Sequence, residues 1–488
     1  MLFNSFQFLI FFPVVTILYY VLPHRFRWSW LLAASCVFYM FFVPVYILIL
    51  LVTILIDYFA AIYIERETSL QKRRIMLWVS ILSTCPMLFV FKYFNFFNMN
   101  FAVLAALMGL KYSAQVVNII LPIGLSFHTF QSLSYVVEVY RRKQKPEMHF
   151  GIYALYVMFY PQLVAGPIER PQNLLHQFRE VHSINYQQIT SGLKLMAWGL
   201  FKKVVIADRL AMVVNAVYGQ PDHYDGIIMA LATACFAYQI YCDFSGYSDM
   251  ARGIARTMGF ELMVNFRRPY ASKSVQEFWT RWHISLSTWF RDYVYIPLGG
   301  GRCGLLMQIR NLFVTFMFSG FWHGANWTFV IWGSLNGVFV SLQLCYLYLT
   351  GRWKFLSKLA VPQWLGVIGT FGLITLAWVF FRAESFAQSI MMLERMAYDI
   401  SHGLMHGMTG AKAYWKAIDL ILTKPEFLLA VTAIVLMETV EWAHEHYSMQ
   451  KIMEQCPGWL RWLSYYALCT AILVFGVFGH NQFIYFQF

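Results

Sequence analysis

Long apolar runs broken by short basic gaps make up most of this chain. They cover residues 2–22, 28–43, 45–64, 75–97 and 116–139. Most reach the roughly 20 residues a helix needs to cross a hydrocarbon core about 30 Å thick. The gaps differ in charge. Arg25 and Arg27 follow the first run, only Pro44 separates the second from the third, and Arg66, Lys72, Arg73 and Arg74 follow the third. The gap near 98–115 carries Lys111 alone, and Arg141, Arg142, Lys143 and Lys145 follow the fifth run. That alternation predicts several spans with the N-terminus on the extracytoplasmic side.

The middle of the chain is less regular. Residues 150–171 contain FYPQLVAGPIERP, whose Pro and Gly punctuation predicts a broken or re-entrant element. Helical runs follow at 189–217 and 227–246. Residues 266–310 then carry Arg267, Arg268, Lys273, Arg281, Arg291, Arg302 and Arg310, as expected of amphipathic helices on the cytoplasmic side. The apolar stretch 311–349 has basic residues at both ends and therefore predicts a hairpin. Residues 362–381 lead outward, 382–425 form an outer loop of unusual length for a connection without a role, 427–442 return and 462–479 lead out again. The aromatic tail 483–488, FIYFQF, is then expected on the outer side with the C-terminus. The chain reads as one membrane domain: N-terminal spans over 1–145, a motif-bearing core over 146–360 and C-terminal spans over 361–488.

Composition supports an all-α polytopic membrane protein. Of 488 residues, 59% are hydrophobic and 12% charged, against roughly 25% charged in soluble domains. The chain has room for 10 to 13 helices at roughly 20 residues per span. Aromatics at 19% suit interfacial belts and packed tunnel walls. The net charge of +13 comes with no basic arm or RNA-binding motif, so the cations are read as loop residues that orient spans rather than as a nucleic-acid surface. Eight scattered cysteines form no CxxC pair and point to neither disulfides nor a metal site. The first run lacks a basic start and is expected to stay in the membrane as an anchor.

Three clusters could carry chemistry. In FWHGANW, His323 lies 12 residues beyond Asn311, about 18 Å inward at 1.5 Å per residue. Trp322 and Trp327 flank it, and Gly324 permits close approach. An ionisable group at that depth is a functional candidate or a satisfied core histidine, here bonded to a carbonyl or to Asn326. The second cluster, FWTRWHISLS, places His283 beside Arg281, Trp282 and Ser285. Arginine with aromatics can hold a phosphate-bearing cofactor or acidic carrier, or anchor the interface. The third, YCDFSGYSD, holds Asp243 and Asp249, which in an apolar setting require partners among nearby arginines or hydroxyls. They could orient a histidine or form a structural pair; Asp57, Glu138 and Glu169 pose the same choice. No Walker A, GxGxxG, HExxH or GxSxG pattern occurs.

Taken together, YCDFSGYSDMARGIARTMGF, NFRRPY, FWTRWHISLSTWFRDYVYIPLGG and FWHGANWTFVIWGSLNG resemble the membrane-bound O-acyltransferases. The similarity is to the bacterial alginate O-acetylation branch, related to the teichoic acid D-alanyl transferases. LPIGLSFHTFQSLSY, FYPQLVAGPIERP, WVFFRAESF and FIYFQF extend it along nearly the whole chain. The resemblance implies a ring of about 11–13 tilted and re-entrant helices around a central tunnel, in the inner membrane of a bacterium. It implies that His323 is the family histidine and His283 its second polar position, with Arg281, Trp282, Trp322, Asn326, Asp243 and Ser285 binding substrate or donor.

The activity implied is acetyl transfer from a cytoplasmic thioester to an extracytoplasmic polysaccharide. Acetyl-CoA or an acylated carrier protein is the donor, no cofactor is permanently bound, and a partner SGNH-like or alginate O-acetylation-type acetyltransferase is expected outside. A neutral His323 would act as general base, and Asn326 or a backbone N–H near Gly324 would meet the oxyanion. The tail resembles an acyl-relay motif, in which Tyr485 would receive the acyl group. D-alanyl transfer, a glycolipid transporter and a non-catalytic scaffold are the competing readings.

Overall fold

The computed structural model describes residues 1–114, 116–117, 122–352, 362–406, 423–448, 452–453, 455–479 and 483–484. It is helical, with no strand among the described residues, as expected where the backbone must satisfy its own hydrogen bonds away from water. Among the described residues, seven helices are long and apolar enough to cross a membrane: Tyr46–Arg66, Leu70–Leu107, Gly226–Thr257, Trp327–Gly351, Gln363–Arg382, Lys424–His446 and Gly458–Phe475. Other expected runs form shorter or more polar helices, among them Phe6–Val21, His24–Met40, Leu125–Tyr140 and Leu305–His323.

The chain gathers into two compact units, one of residues 1–196 and 247–264, the other of residues 197–246 and 265–488. In the first, residues 150–171 form the broken element expected of their Pro and Gly. Helix Phe150–Met158 stops at Phe159, one turn follows at Tyr160–Leu163, and a second short helix begins at Pro171. Nearly all of this stretch is buried in protein, where irregular backbone is tolerated. Gly124, at φ +77°, opens helix Leu125–Tyr140, and its missing Cβ leaves room for the Leu163 carbonyl. The buried carboxylate of Asp57 accepts hydrogen bonds from Ser80, Thr84 and Ser132, and Glu169 accepts from the Met263 N–H. Glu138 accepts from Gln172. All three carboxylates are held by hydrogen bonds from within the first unit.

Two expectations change. The gap near 98–115 is largely helical, because the helix after Leu70 continues through a π-helical turn, Phe89–Tyr93, to Leu107. The loop expected over 382–425 holds helix Phe386–His406. There Met392 and Met396 face the core, while Glu394 and Asp399 give the helix a polar side, so it never reads as a span. Residues 407–422 of that loop lie outside the described residues.

The second unit contains the predicted hairpin. Helix Leu305–His323 is joined to helix Trp327–Arg352 by Gly324, Ala325 and Asn326 alone. Gly320 and Gly333 face one another across it, and a Cβ on either would collide with the opposite backbone, the close approach small residues allow between membrane helices. Residues 266–310 form short, partly buried helices, Val275–Arg281 and Ile284–Phe290, then a π-helical turn, Arg291–Tyr295. Phe236, Phe278, Trp282, Trp332, Trp378 and Phe381 fill the unit's aromatic core.

Candidate active site

Every described residue of the candidate site belongs to the second unit. His323 ends its helix, and the chain turns at Gly324 immediately after it. The helix begins at Leu305 and ends at His323, which therefore stands at the hairpin tip. A side chain on Gly324 would strike the Phe329 ring, so the turn requires glycine for space. The imidazole is 5% exposed. Trp332 meets it edge to face at 5.1 Å, Phe381 lies at 5.4 Å and Trp322 at 4.9 Å. Three aromatic walls therefore fix the ring plane of the imidazole they surround.

His283 occupies the N-cap of helix Ile284–Phe290 with φ 43° and ψ 55°, a left-handed conformation rare for a side chain of its size. Such backbone is retained where its surroundings over-determine it. Those surroundings are Phe244 at 4.6 Å, Phe266 at 6.4 Å and Trp322 at 6.4 Å. Trp322 is thus the ring neighbour common to both histidines. Burial pushes the His283 imidazole well below its ordinary range, to about 3, so it is neutral at physiological pH.

The other expected site residues take definite places. Ser285 donates through Oγ to the Asn265 side-chain oxygen at 3.0 Å, and the same oxygen accepts the Ser285 N–H at 3.1 Å. Asn265 also accepts the Ile284 N–H through its backbone carbonyl, which fixes the turn carrying His283. Trp282 is fully buried and stacks on Phe278 at 5.5 Å. Arg281 forms ion pairs with Glu277 at 2.9 Å and Glu445 at 2.8 Å. Asn326 caps the second hairpin helix, accepting the Thr328 N–H at 3.1 Å, and donates to the Glu384 carbonyl at 3.2 Å.

Asp243 finds a lysine rather than an arginine. Lys203 lies between Asp243 at 2.6 Å and Asp208 at 2.9 Å, and the other Asp243 oxygen accepts the Ile484 N–H at 2.7 Å. Asp249, in the first unit, pairs with Arg252 at 3.5 Å. Tyr485 lies outside the described residues, although Phe483 and Ile484 before it are buried.

A cavity of about 430 Å³ lies in the same unit, and neither histidine is part of its lining. Trp279, Ile284, Arg291, Thr315 and Ser319 are among the residues that line it. Ile284 follows His283 in sequence, and Ser319 sits one helical turn before His323. Trp279 also meets Trp332, the wall of His323, at 5.8 Å. The cavity falls within the usual size of small-molecule sites, roughly 300–1,000 Å³.

Sequence reasoning alone missed Trp332, Phe381 and Lys203. Phe381 lies within WVFFRAESF and Trp332 within FWHGANWTFVIWGSLNG, motifs that signalled the family without giving either residue a role. Lys203 falls in the π-helical turn Lys202–Ala207, which no sequence period announces.

Comparison with known proteins agrees with these motifs. The sequence profile of the membrane-bound O-acyltransferase family matches residues 132–383. A peptidoglycan O-acetyltransferase of Helicobacter pylori is 32% identical over 94% of this chain and 91% of its own length. A probable alginate O-acetylase of Pseudomonas aeruginosa is 37% identical over 81% of this chain and 75% of its own. A teichoic acid D-alanyltransferase of Bacillus subtilis is 26% identical over 55% of this chain and 70% of its own.

Proposed function

The chain belongs to the membrane-bound O-acyltransferase family and is a multi-pass membrane acyltransferase, and from that premise we propose that it transfers acetyl from a cytoplasmic thioester to an extracytoplasmic glycan. The two relatives matched over 94% and 81% of this chain are named for O-acetylation, one of peptidoglycan and one, as a probable activity, of alginate, whereas the D-alanyltransferase is matched over 55%. That favours acetyl over D-alanyl as the group moved. The single observation that carries the reading is the placement of His323, a base held by three aromatic rings one helical turn from a cavity wall.

In this reading the thioester arm of acetyl-CoA lies in the cavity beside Ser319, with Arg291 on its wall toward the anionic donor, while Arg281 is engaged by Glu277 and Glu445. His323 takes the proton of an acceptor hydroxyl as its oxygen attacks the acetyl carbonyl. The new C–O bond forms, the C–S bond breaks, and the proton passes to the departing thiol sulfur. General-base assistance of this kind is typically worth 10²- to 10⁴-fold. His283, neutral and caged, positions the donor rather than exchanging protons. Trp322 keeps the two imidazoles apart, while Trp282 and Ser285 hold the turn that carries His283.

The acceptor hydroxyl belongs to Tyr485 or to an outside partner acetyltransferase that passes the group to the glycan. Placement in a bacterial inner membrane, with both ends of the chain on the outer side, completes the proposal. The test is intact-mass analysis and peptide mapping after incubation with isotope-labelled acetyl-CoA. Label on the 483–488 peptide that is lost in Tyr485→Phe supports the relay. Turnover without protein label supports direct transfer.

A further inference from the structure

Phe475, Val477 and Ile484 are each fastened to earlier parts of the second unit through their backbone. The Phe475 carbonyl accepts from the Arg209 guanidinium at 2.6 Å. The Val477 N–H donates to the Val204 carbonyl at 2.9 Å. The Ile484 N–H donates to the Asp243 carboxylate at 2.7 Å. Val204 belongs to the π-helical turn Lys202–Ala207 and Arg209 follows it closely, at a point where the helix has gained an extra residue and redirected its backbone groups.

The third fastening has the strongest design. Asp243 is 3% exposed and Lys203 5%, and they form an ion pair at 2.6 Å. Burying charge in this way costs several kcal/mol per ion before pairing. One Asp243 oxygen answers Lys203, and the other is directed at a backbone N–H that lies 241 residues further along the chain. A hydrogen bond to a charged acceptor is roughly twice as strong as a neutral one. Beside that bond, the ring of Phe483, which precedes Ile484, meets Phe244, which follows Asp243, edge to face at 5.7 Å, and Phe244 meets His283 at 4.6 Å.

We propose that Asp243, charged and oriented by Lys203, is a positioning residue that latches the 483–484 segment beside the His283 cage. This gives the aspartate of YCDFSGYSD a role toward the chain's own aromatic segment rather than toward a donor. The latch goes beyond the acetyl-transfer reading, since the holding of Phe483 and Ile484 does not depend on acylation of Tyr485.

Hydrogen exchange of the full chain, followed by mass spectrometry at peptide resolution, tests it directly. In the wild type, the amide of Ile484 is expected to exchange at least tenfold more slowly than in Asp243→Ala, with Asp243→Asn between them. Peptides from helix Gly226–Thr257 and the Val477 amide keep their protection in both variants. A merely structural Asp243 would instead loosen its own helix and leave the 483–484 amides unchanged, which overturns the proposal. Wild-type exchange of Ile484 at the rate of an unstructured peptide overturns it without any variant. In Tyr485→Phe, retained protection together with lost acetyl label would separate the latch from the relay.

Discussion

The ring of His323 meets that of Trp332 edge to face, with centroids 5.1 Å apart and planes at 90°. The two belong to the two arms of one hairpin, and Trp332 in turn stacks on Trp378 at 5.5 Å. Such pairs are worth about 0.5–1.5 kcal/mol beyond the area they bury. Their larger effect here is to remove rotational freedom from the His323 imidazole. Trp332→Leu is therefore expected to reduce acetyl-thioester turnover at least tenfold, about 1.4 kcal/mol of transition-state stabilisation. Trp332→Phe, which keeps an aromatic edge, should recover most of it. Steady-state turnover in detergent or nanodiscs, alongside a melting curve, separates loss of orientation from loss of fold.

Gly324→Ala makes a narrower prediction at the same hairpin. The added methyl would run into Phe329, which itself lies 5.0 Å from Phe381. The turn after His323 must shift, and His323 with it. Turnover is expected to fall while the membrane helices stay folded by circular dichroism; unchanged turnover would show that this turn does not set the histidine's position.

Asn326 is read here as a helix cap. Replacement by Ala should cost about 1 kcal/mol of stability, while Ser, a competent cap, should cost little. If the cap is its whole contribution, Asn326→Ser retains turnover within about fivefold, the equivalent of roughly 1 kcal/mol. If its amide meets the developing oxyanion, the same variant loses about 10²- to 10³-fold. The comparison of Ser with Ala in both turnover and melting temperature decides between them.

The depressed His283 gives a signed pH dependence. In the unfolded chain its imidazole titrates near 6.5, and in the fold burial holds it to about 3. Above about pH 6.5 the residue is neutral in both states and its stabilising packing is fully present. As pH falls from there toward 3, the unfolded chain binds the proton first and stability is lost. Between pH 7 and 5 the loss is about 2 kcal/mol. His283→Gln should remove that component. Equal acid sensitivity of wild type and His283→Gln in thermal unfolding would show that His283 is not held neutral.

The spans and the hairpin were legible because apolar runs and basic gaps are written directly into the sequence. The broken element at 150–171 was legible from Pro161, Gly166, Pro167 and Pro171 for the same kind of reason. Helix Phe386–His406 was not, since an amphipathic helix lying against a core lacks the apolar length of a span. His323 and His283 stood out as titratable groups in aromatic surroundings, yet their common neighbour Trp322 and the wall of Trp332 and Phe381 depend on packing between helices far apart in sequence. The pairing of Asp243 with Lys203 and Ile484 is of that kind as well, joining residues 40 and 241 positions away.

The central claim is that His323 activates the attacking hydroxyl. The most direct measurement is turnover of labelled acetyl-CoA by purified wild type and His323→Ala, with donor affinity measured separately for each. Turnover is expected to fall about 10²- to 10⁴-fold, with donor affinity little changed. Equal turnover in the two proteins would contradict the account.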